Sequence, residues 1–349
     1  VLRLIPTRDA GAADELLAPL LRRPDPARFA CGLRSLHRRF NTYVATCPVP
    51  LAAAGLVVTA EIRTQCELYL PLGEIRELFH QLYRHALTYP PIFSSTPFHG
   101  VPSWADLYAS LPAEFQFSPN PARLLELLHE DAGLLRRFLF YSFLPDRFYG
   151  GFARYPGQRA FIEEWLPGRP GPLRCLDAAC GTGEESYALV RLLLDQGRSP
   201  ASFRIEGWTV EPLEVWGAAC GAFPHHPVRT AAFREETAFI FTTGAESSLE
   251  FRSVDLLDQA VVAEGGSFDL ILCNGLLGGP ILHERKQQER LTAGLAGLLT
   301  PGGILLVADS FHGGWKRKHP QEGLRVLLET VGLVVGEAGE GLVGTRSAA

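Results

Sequence analysis

The chain has 349 residues, enough for one large domain or two ordinary ones, each able to bury a full core. A net charge of −5 leaves no global basic footprint, so overall charge does not argue for a nucleic-acid partner. Hydrophobic residues at 46% and charged residues at 20% describe an ordinary globular protein; the longest apolar candidate, Phe138–Leu144, is far too short to span a bilayer.

Residues 1–145 read as a mainly helical domain. The start, VLRLIPTRDAGAADELL, has no long apolar stretch, so no secretory signal is expected. Arg22, Arg23, Arg28, Arg34, Arg38 and Arg39 form a basic run, read either as a solvated helix surface or as a face for an acidic protein partner or RNA, with the solvated face preferred. Ile75, Leu78, Phe79, Leu82, Tyr83, Ala86 and Leu87 recur at helical spacing between Arg76, Glu77, Gln81 and Arg84. Tyr89–Ser103 holds four prolines and is expected as a surface loop. Helices follow from Leu124 and over Leu134–Leu144.

From residue 146 the pattern changes to strand–helix alternation. That predicts an α/β domain over 146–349, a Rossmann-like, doubly wound, mostly parallel sheet with helices on both faces. Strands are expected at Arg174–Ala178, Phe203–Val210, Leu249–Val254, Phe268–Cys273 and Gly303–Ala308, with a closing pair near Leu333–Val335 and Leu342–Gly344. Helices are expected near Glu184–Gln196, Pro212–Cys220, Glu284–Leu299 and Gln321–Val331. Gly197 and the Pro301-Gly302-Gly303 turn act as stops. Val228–Ser248 is ambiguous and reads as a small insertion of short strands.

Seven cysteines, none in a C-x-x-C pair, argue against a disulfide framework or a zinc site. Cys175, Cys180 and Cys273 fall in or beside the apolar strands, which suits reduced thiols and a cytoplasmic protein. No metal ligand set is expected.

Residues 173–190, LRCLDAACGTGEESYALV, carry the most information. An apolar strand ends in Asp177, a turn follows with Gly181 and Gly183, and a helix opens on Glu184 and Glu185. Glycines let the backbone pass close to a bound molecule. A dinucleotide site shares this turn, but its fingerprint needs a third glycine where Ser186 stands. Two carboxylates at the helix start would also repel a pyrophosphate. A cofactor carrying an amino group and a sulfonium would be attracted instead. The segment is similar to the strand–turn–helix of class I S-adenosylmethionine-dependent methyltransferases.

Ligands of doubly wound sheets lie across the carboxyl ends of the strands. Those ends carry Asp177, Ala179, Cys180, Gly181 and Gly183 after the first strand, Glu211 after the second, Asp255 and Leu256 after the third, and Asn274 after the fourth. Glu211 is placed to accept both ribose hydroxyls of an adenosine. Asp255 can accept from the adenine amino group while the next backbone N–H, of Leu256, donates to the ring. Plainer readings stay open: Thr182-x-x-Glu185 fits a capping box, Asp177 can satisfy turn N–H groups, and Asn274 can end its strand.

The run GTGEESYAL resembles the STGEEPYSL signature of CheR-type chemotaxis receptor methyltransferases. Phe152-Ala153-Arg154-Tyr155-Pro156 followed by Phe161 is similar to that family's F-F-R-D-P segment, and SVDLLD, FDLILCN and LLTPGGILLVADS follow its later strands in order. The resemblance covers roughly 120–349. It implies S-adenosyl-L-methionine as cofactor, with Arg154 gripping the carboxylate of its methionine moiety; Glu185 is the candidate for the amino group. The family's arginine-asparagine pair after the fourth strand is Cys273-Asn274 here. Its following tyrosine is absent from Gly275-Leu276-Leu277-Gly278-Gly279, its H-S-E is replaced by Asp309-Ser310-Phe311, and its receptor-docking insertion is shortened or altered.

These readings imply a methyltransferase whose acceptor is a protein carboxylate or a small molecule. A cofactor-binding sensor or scaffold without turnover is the alternative. No catalytic residue is assigned; His283, Asp309 and His312 are the nearby candidates and read more simply as loop residues.

Overall fold

The computed structural model describes residues 1–144, 151–258, 266–277, 282–308 and 321–347. They form two compact units: Val1–Asp14 with Arg147–Ala222 and Pro227–Ala349, and Glu15–Asp146 with Phe223–His226. The strands are β1 (Arg3–Leu4), β2 (Leu173–Asp177), β3 (Phe203–Thr209), β4 (Leu249–Ser253), β5 (Phe268–Leu272), β6 (Leu299–Val307), β7 (Leu333–Ala338) and β8 (Gly341–Arg346). The helices are α1 (Ala10–Leu17), α2 (Ala30–Thr46), α3 (Ala60–Tyr69), α4 (Leu72–Ala86), α5 (Trp104–Ser110), α6 (Pro121–Glu130), α7 (Ala132–Phe143), α8 (Pro156–Trp165), α9 (Glu184–Asp195), α10 (Pro212–Cys220), α11 (Pro227–Thr237), α12 (Phe239–Thr242), α13 (Arg285–Gly297) and α14 (Gln321–Thr330).

The helical unit is built on aromatic packing. Phe79 of α4 meets Phe98 at 4.6 Å and Phe138 of α7 at 5.7 Å between ring centres, and Tyr83 shares a 2.8 Å hydrogen bond with the Ser142 hydroxyl. Arg63 donates to both Asp106 oxygens, at 2.8 and 2.7 Å, and this fork holds the Asp106 carboxyl below its ordinary range against the opposing effect of burial. The proline-rich Tyr89–Ser103 segment is a loop with one 3-10 turn at Phe93–Ser95 and is for the most part exposed or half-buried; Thr96, Phe98 and Ser103 are buried, with Phe98 completing the ring cluster around Phe79. Of the basic run, Arg23 donates to the backbone of His129 and Glu130, and Arg39 pairs with Glu74 at 2.8 Å.

In the second unit the sheet order is β1-β4-β3-β2-β5-β6-β8-β7. β2 to β6 pair in parallel, whereas β1 lies antiparallel on β4 and β8 antiparallel to both β6 and β7. Successive side chains serve opposite faces, and both faces are buried, so these strands read as nearly continuous apolar runs. Leu176, Ile271 and Leu305 share one core with Leu291 and Leu295 of α13 and Leu327 of α14. Helices α9 and α10 pack against β3, with the Tyr187 ring 5.6 Å from that of Phe251 on β4.

Three local expectations need correction. Val228–Ser248 is helical, as α11, α12 and a short 3-10 turn at Glu246–Ser248, because Phe233 and Ile240 anchor it into the core at helical rather than alternating spacing. Pro301-Gly302-Gly303 does not separate a helix from a strand: β6 starts at Leu299, and the segment shifts the register on β5 between Leu299 and Ile304. The division at 145/146 also misses the N-terminal segment. Residues 1–14 group with the sheet, since Arg3–Leu4 pairs with Arg252 and Phe251.

A charged ladder crosses the face bearing Trp208. Glu206 accepts from Arg174 at 3.0 Å, from Arg252 at 2.9 Å and from the Trp208 indole at 3.0 Å. Arg252 and Glu206 are 5% and 8% exposed, so neither has water to fall back on. Replacing Glu206 by Leu should cost about 3 kcal/mol in urea unfolding, because Arg252 stays buried with its carboxylate removed. A loss under about 1 kcal/mol would mean that this pair is not holding the strands.

Candidate active site at the switch point of the sheet

Between β2 and β5 the strand order reverses, and the crevice opens at the carboxyl ends of these two strands. Asp177 closes β2 in register with Leu272 of β5, and the Ala178 N–H donates to the Leu272 carbonyl at 2.7 Å. The turn then folds on itself: Gly183 N–H donates to the Cys180 carbonyl at 2.8 Å, and Cys180 N–H to Trp208 O at 3.0 Å on β3. Gly181 has φ +52° and Gly183 φ +87°. A Cβ on Gly183 would stand 2.7 Å from the Phe251 ring, so the start of α9 lies against β4 at a distance only glycine allows. A Cβ on Gly181 would meet no atom within 4 Å, leaving the turn open on that side.

Ser186 has a definite task. Its hydroxyl donates to Asp177 Oδ2 at 2.7 Å, and both groups are buried. Burial first, and the Glu185 charge second, push the Asp177 carboxyl from its ordinary 3.8 up to about 8; bonds from Ser186 and the Ala179 backbone only partly oppose this. Glu185 is likewise raised by burial, against the Asn274 amide and the Arg154 charge.

Glu185 does not close a capping box. The N-cap of α9 is Gly183, and Thr182 donates to Glu184 Oε2 at 2.7 Å. That leaves Glu185 facing the β5 end, where it accepts from Asn274 Nδ2 at 2.8 Å. Asn274 also donates to Gln158 Oε1 at 2.8 Å, while its Oδ1 accepts from Gln158 Nε2 at 3.2 Å and from Ala308 N–H at 2.8 Å. Its two donors and two acceptor sites are therefore engaged within the chain, joining α8, α9, β5 and β6. Arg154 lies over Gly275, φ +71°, where an added Cβ would be 3.4 Å from Nη1; its guanidinium is 4.8 Å from the Tyr155 ring centre. A cavity of about 120 Å³ opens here, lined by Ile162, Leu189, Leu192 and Leu272 together with Arg154 and Glu185.

Glu211 and Asp255 follow adjacent strands, each two residues beyond the last pair, Thr209 and Ser253. Glu211 is buried and caps α10 by accepting from Leu213 N–H at 3.1 Å. Asp255 is exposed and accepts from Leu257 N–H at 2.9 Å, and Leu256 is buried beside it. Asp177, Ala179, Cys180, Gly181 and Gly183 therefore follow the β2 side, Glu211 lies past β3, and Asp255 and Leu256 lie past β4, while Arg154, Glu185 and Asn274 line the cavity at the β5 end. His283 is exposed just after Leu282, while Asp309 and His312 lie outside the described residues.

Sequence reasoning missed Gln158, Glu214 and Arg229. Glu214 accepts from the Thr209 hydroxyl, and burial, reinforced by the Glu184 charge, pushes it up to about 7. Arg229 of α11 is buried and donates to Thr182 at 2.7 Å and Glu184 at 3.2 Å. The spacing Glu211-x-x-Glu214 at a helix start was a readable signal for one of them. Arg229 sat in the segment read as strands.

Residues 162–312 match the family described as CheR methyltransferase, SAM binding domain. Over these residues, under half of the chain, the protein is similar to a CheR-type S-adenosylmethionine-binding domain. The chain is 30% identical over 147 residues to the "Probable biofilm formation methyltransferase WspC" of Pseudomonas putida, covering 40% of this chain and 34% of that protein. It is 27% identical over 162 residues to the "Chemotaxis protein methyltransferase" of Klebsiella aerogenes, covering 43% of this chain and 54% of that protein. The chain therefore spans well under two thirds of either relative. Among solved structures, an O-methyltransferase family protein from Burkholderia thailandensis covers 97% of this chain and 99% of its own at 14% identity and a TM-score of 0.38.

The raised Asp177 carboxyl sets a pH dependence. Its folded value lies above its unfolded one, so its contribution to stability is complete below about pH 4 and is lost as pH climbs through about 8. The ligand-free thermal midpoint should fall as pH rises from about 4 to about 8 and level off above that, and Asp177→Asn should flatten that fall. An unchanged slope in the variant would remove Asp177 as its source.

Proposed function

We propose that the protein is an S-adenosylmethionine-dependent methyltransferase, and that the crevice above β2 and β5 holds its cofactor. The observation that carries this reading is the charge arrangement: partly or fully buried acids, Asp177 and Glu185, beside a guanidinium at the β5 end, suited to a zwitterionic amino-acid tail. The open side of Gly181 leaves room for such a ligand along the turn.

On this reading Arg154 pairs with the cofactor carboxylate through a two-pronged fork. Asp177 and Glu185 face its ammonium group. Glu211, whose Oε1 already accepts from Leu213, offers its remaining acceptor capacity to the ribose hydroxyls. Asp255 accepts from the adenine amino group and the Leu256 N–H donates to the ring. Ala179, Cys180, Gly181 and Gly183 supply the turn that lets the tail approach. Asn274 serves by holding Glu185 in place, since its own valences are engaged. When bound, S-adenosylmethionine supplies an electrophilic methyl group for in-line displacement, which asks of the protein mainly alignment and exclusion of water.

The acceptor on this reading is a protein carboxylate, as the resemblance to chemotaxis receptor methyltransferases implies, or else a small molecule. An ionised carboxylate needs no general base. Arg22, Arg28, Arg34 and Arg38 are exposed on the helical unit and offer a face for an acidic protein partner. Seven free thiols suit a cytoplasmic setting. Among the described residues no helix is long and apolar enough to cross a membrane. A second reading, cofactor binding without turnover, draws support from the buried Cys273 that stands where the family has an arginine.

Titration calorimetry with S-adenosylhomocysteine should give a clear heat, and Arg154→Met should weaken binding by about tenfold or more through loss of charged hydrogen bonds. Radiolabelled methyl transfer into a lysate, with base-labile protein label, would identify a carboxyl ester. Binding without any label would favour the second reading. Heat with a nicotinamide dinucleotide and none with S-adenosylhomocysteine would overturn both.

A further inference from the structure

Helix α8 carries no cap of its own. Tyr155 at the N-cap makes no side-chain bond to the helix, and Pro156 at the first position has no N–H to satisfy. The next two donors, Gly157 N–H and Gln158 N–H, are bound from the far end of the chain. They donate to Glu340 Oε1 at 2.7 Å and Glu340 Oε2 at 3.0 Å. A carboxylate at a helix N-terminus is also favoured by the helix dipole.

Glu340 sits in the tight turn between β7 and β8, and glycines on both sides bring that turn into contact with its surroundings. Gly339 has φ +57°, and a Cβ there would overlap the backbone of Gly157 and Gln158. A Cβ on Gly341 would overlap the Val307 carbonyl at the end of β6. The turn therefore touches the start of α8 and the strand end that leads to Ala308. Gln158 is gripped twice, by Glu340 at its backbone and by Asn274 at its side chain, and Asn274 in turn binds Glu185 and Ala308. Arg154 precedes this capped turn by only two residues.

We propose that the Gly339-Glu340-Gly341 turn positions the cofactor site, Glu340 capping α8 from outside the helix and so fixing where Arg154 and Gln158 stand. The proposal rests on the methyltransferase reading above. Neither Glu340 nor the first turn of α8 falls within the matched residues 162–312, so the turn extends the site beyond the family's domain. Glu340 is a positioning residue: it acts through α8 and Asn274 and not on the ligand.

The test is calorimetry of the full chain with S-adenosylhomocysteine, alongside thermal midpoints and amide hydrogen exchange at Gly157 and Gln158. Glu340→Ala should weaken binding about tenfold, since a small shift of a group that orients a ligand has effects of that order. Both amides should exchange faster, with the midpoint moved by only a few degrees. Glu340→Gln, which keeps its length and one acceptor, should fall between Ala and wild type. Glu337→Gln is the control on the same hairpin, because Glu337 binds Gln321 and Arg325 and makes no bond to α8; it should bind as wild type does. Glu340→Ala within twofold of wild type, or Glu337→Gln losing as much as Glu340→Ala, would overturn the proposal alone. A wild-type protein that gives no heat overturns the methyltransferase reading and this proposal with it.

Discussion

Crowding of like charge at the switch point is the constraint on which the rest of the site depends. Asp177 and Glu214 are raised by burial, and neighbouring carboxylates raise them further, Glu185 in the first case and Glu184 in the second. Such a group stays ionised only when a cation stands beside it. The chain provides Arg229 on the Glu184 side and Arg154 on the Glu185 side. A positively charged ligand fits the acids between them for the same electrostatic reason.

Charge alone does not fix geometry, and the scaffold fixes it with close backbone approaches and one amide network. Phe251 occupies the space that a Cβ on Gly183 or on Gly207 would need, so α9 starts tight against the sheet. Asn274 then binds α8, α9 and β6 with a single side chain. Placed this way, the two glutamates at the start of α9 divide: Glu184 turns to Thr182 and Arg229, and Glu185 to Asn274.

The parallel sheet was legible because strands buried on both faces leave unbroken apolar runs, as in FDLIL and the end of LTPGGILLV. The acids at the strand ends were legible too, since glycine turn, strand and helix appear in order in one short stretch. What stayed hidden acts across long sequence distances. Gln158 meets Asn274 across 116 residues and Glu340 meets Gly157 across 183, and no local spacing marks either. The α11–α12 segment was misread for a different reason: Phe239-Ile240-Phe241-Thr242 has strong strand propensity, and tertiary packing of Phe233 and Ile240 outweighed it. The choice between a capping box and a glutamate turned to the β5 end at position 185 depended on where Asn274 lies, which a local reading cannot supply.

The two-residue strand β1 has an effect out of proportion to its length. By pairing Arg3 and Leu4 with Arg252 and Phe251, it covers part of a parallel strand that would otherwise end the sheet with bare N–H and C=O groups. Such an open edge recruits other chains into aggregates. The Leu2 N–H bond to the Ser253 hydroxyl at 2.8 Å and the Thr7 N–H bond to Ala219 O at 2.8 Å pin the strand on either side. A handful of residues that precede the helical unit in sequence thus shields an edge of the sheet more than two hundred positions further along the chain.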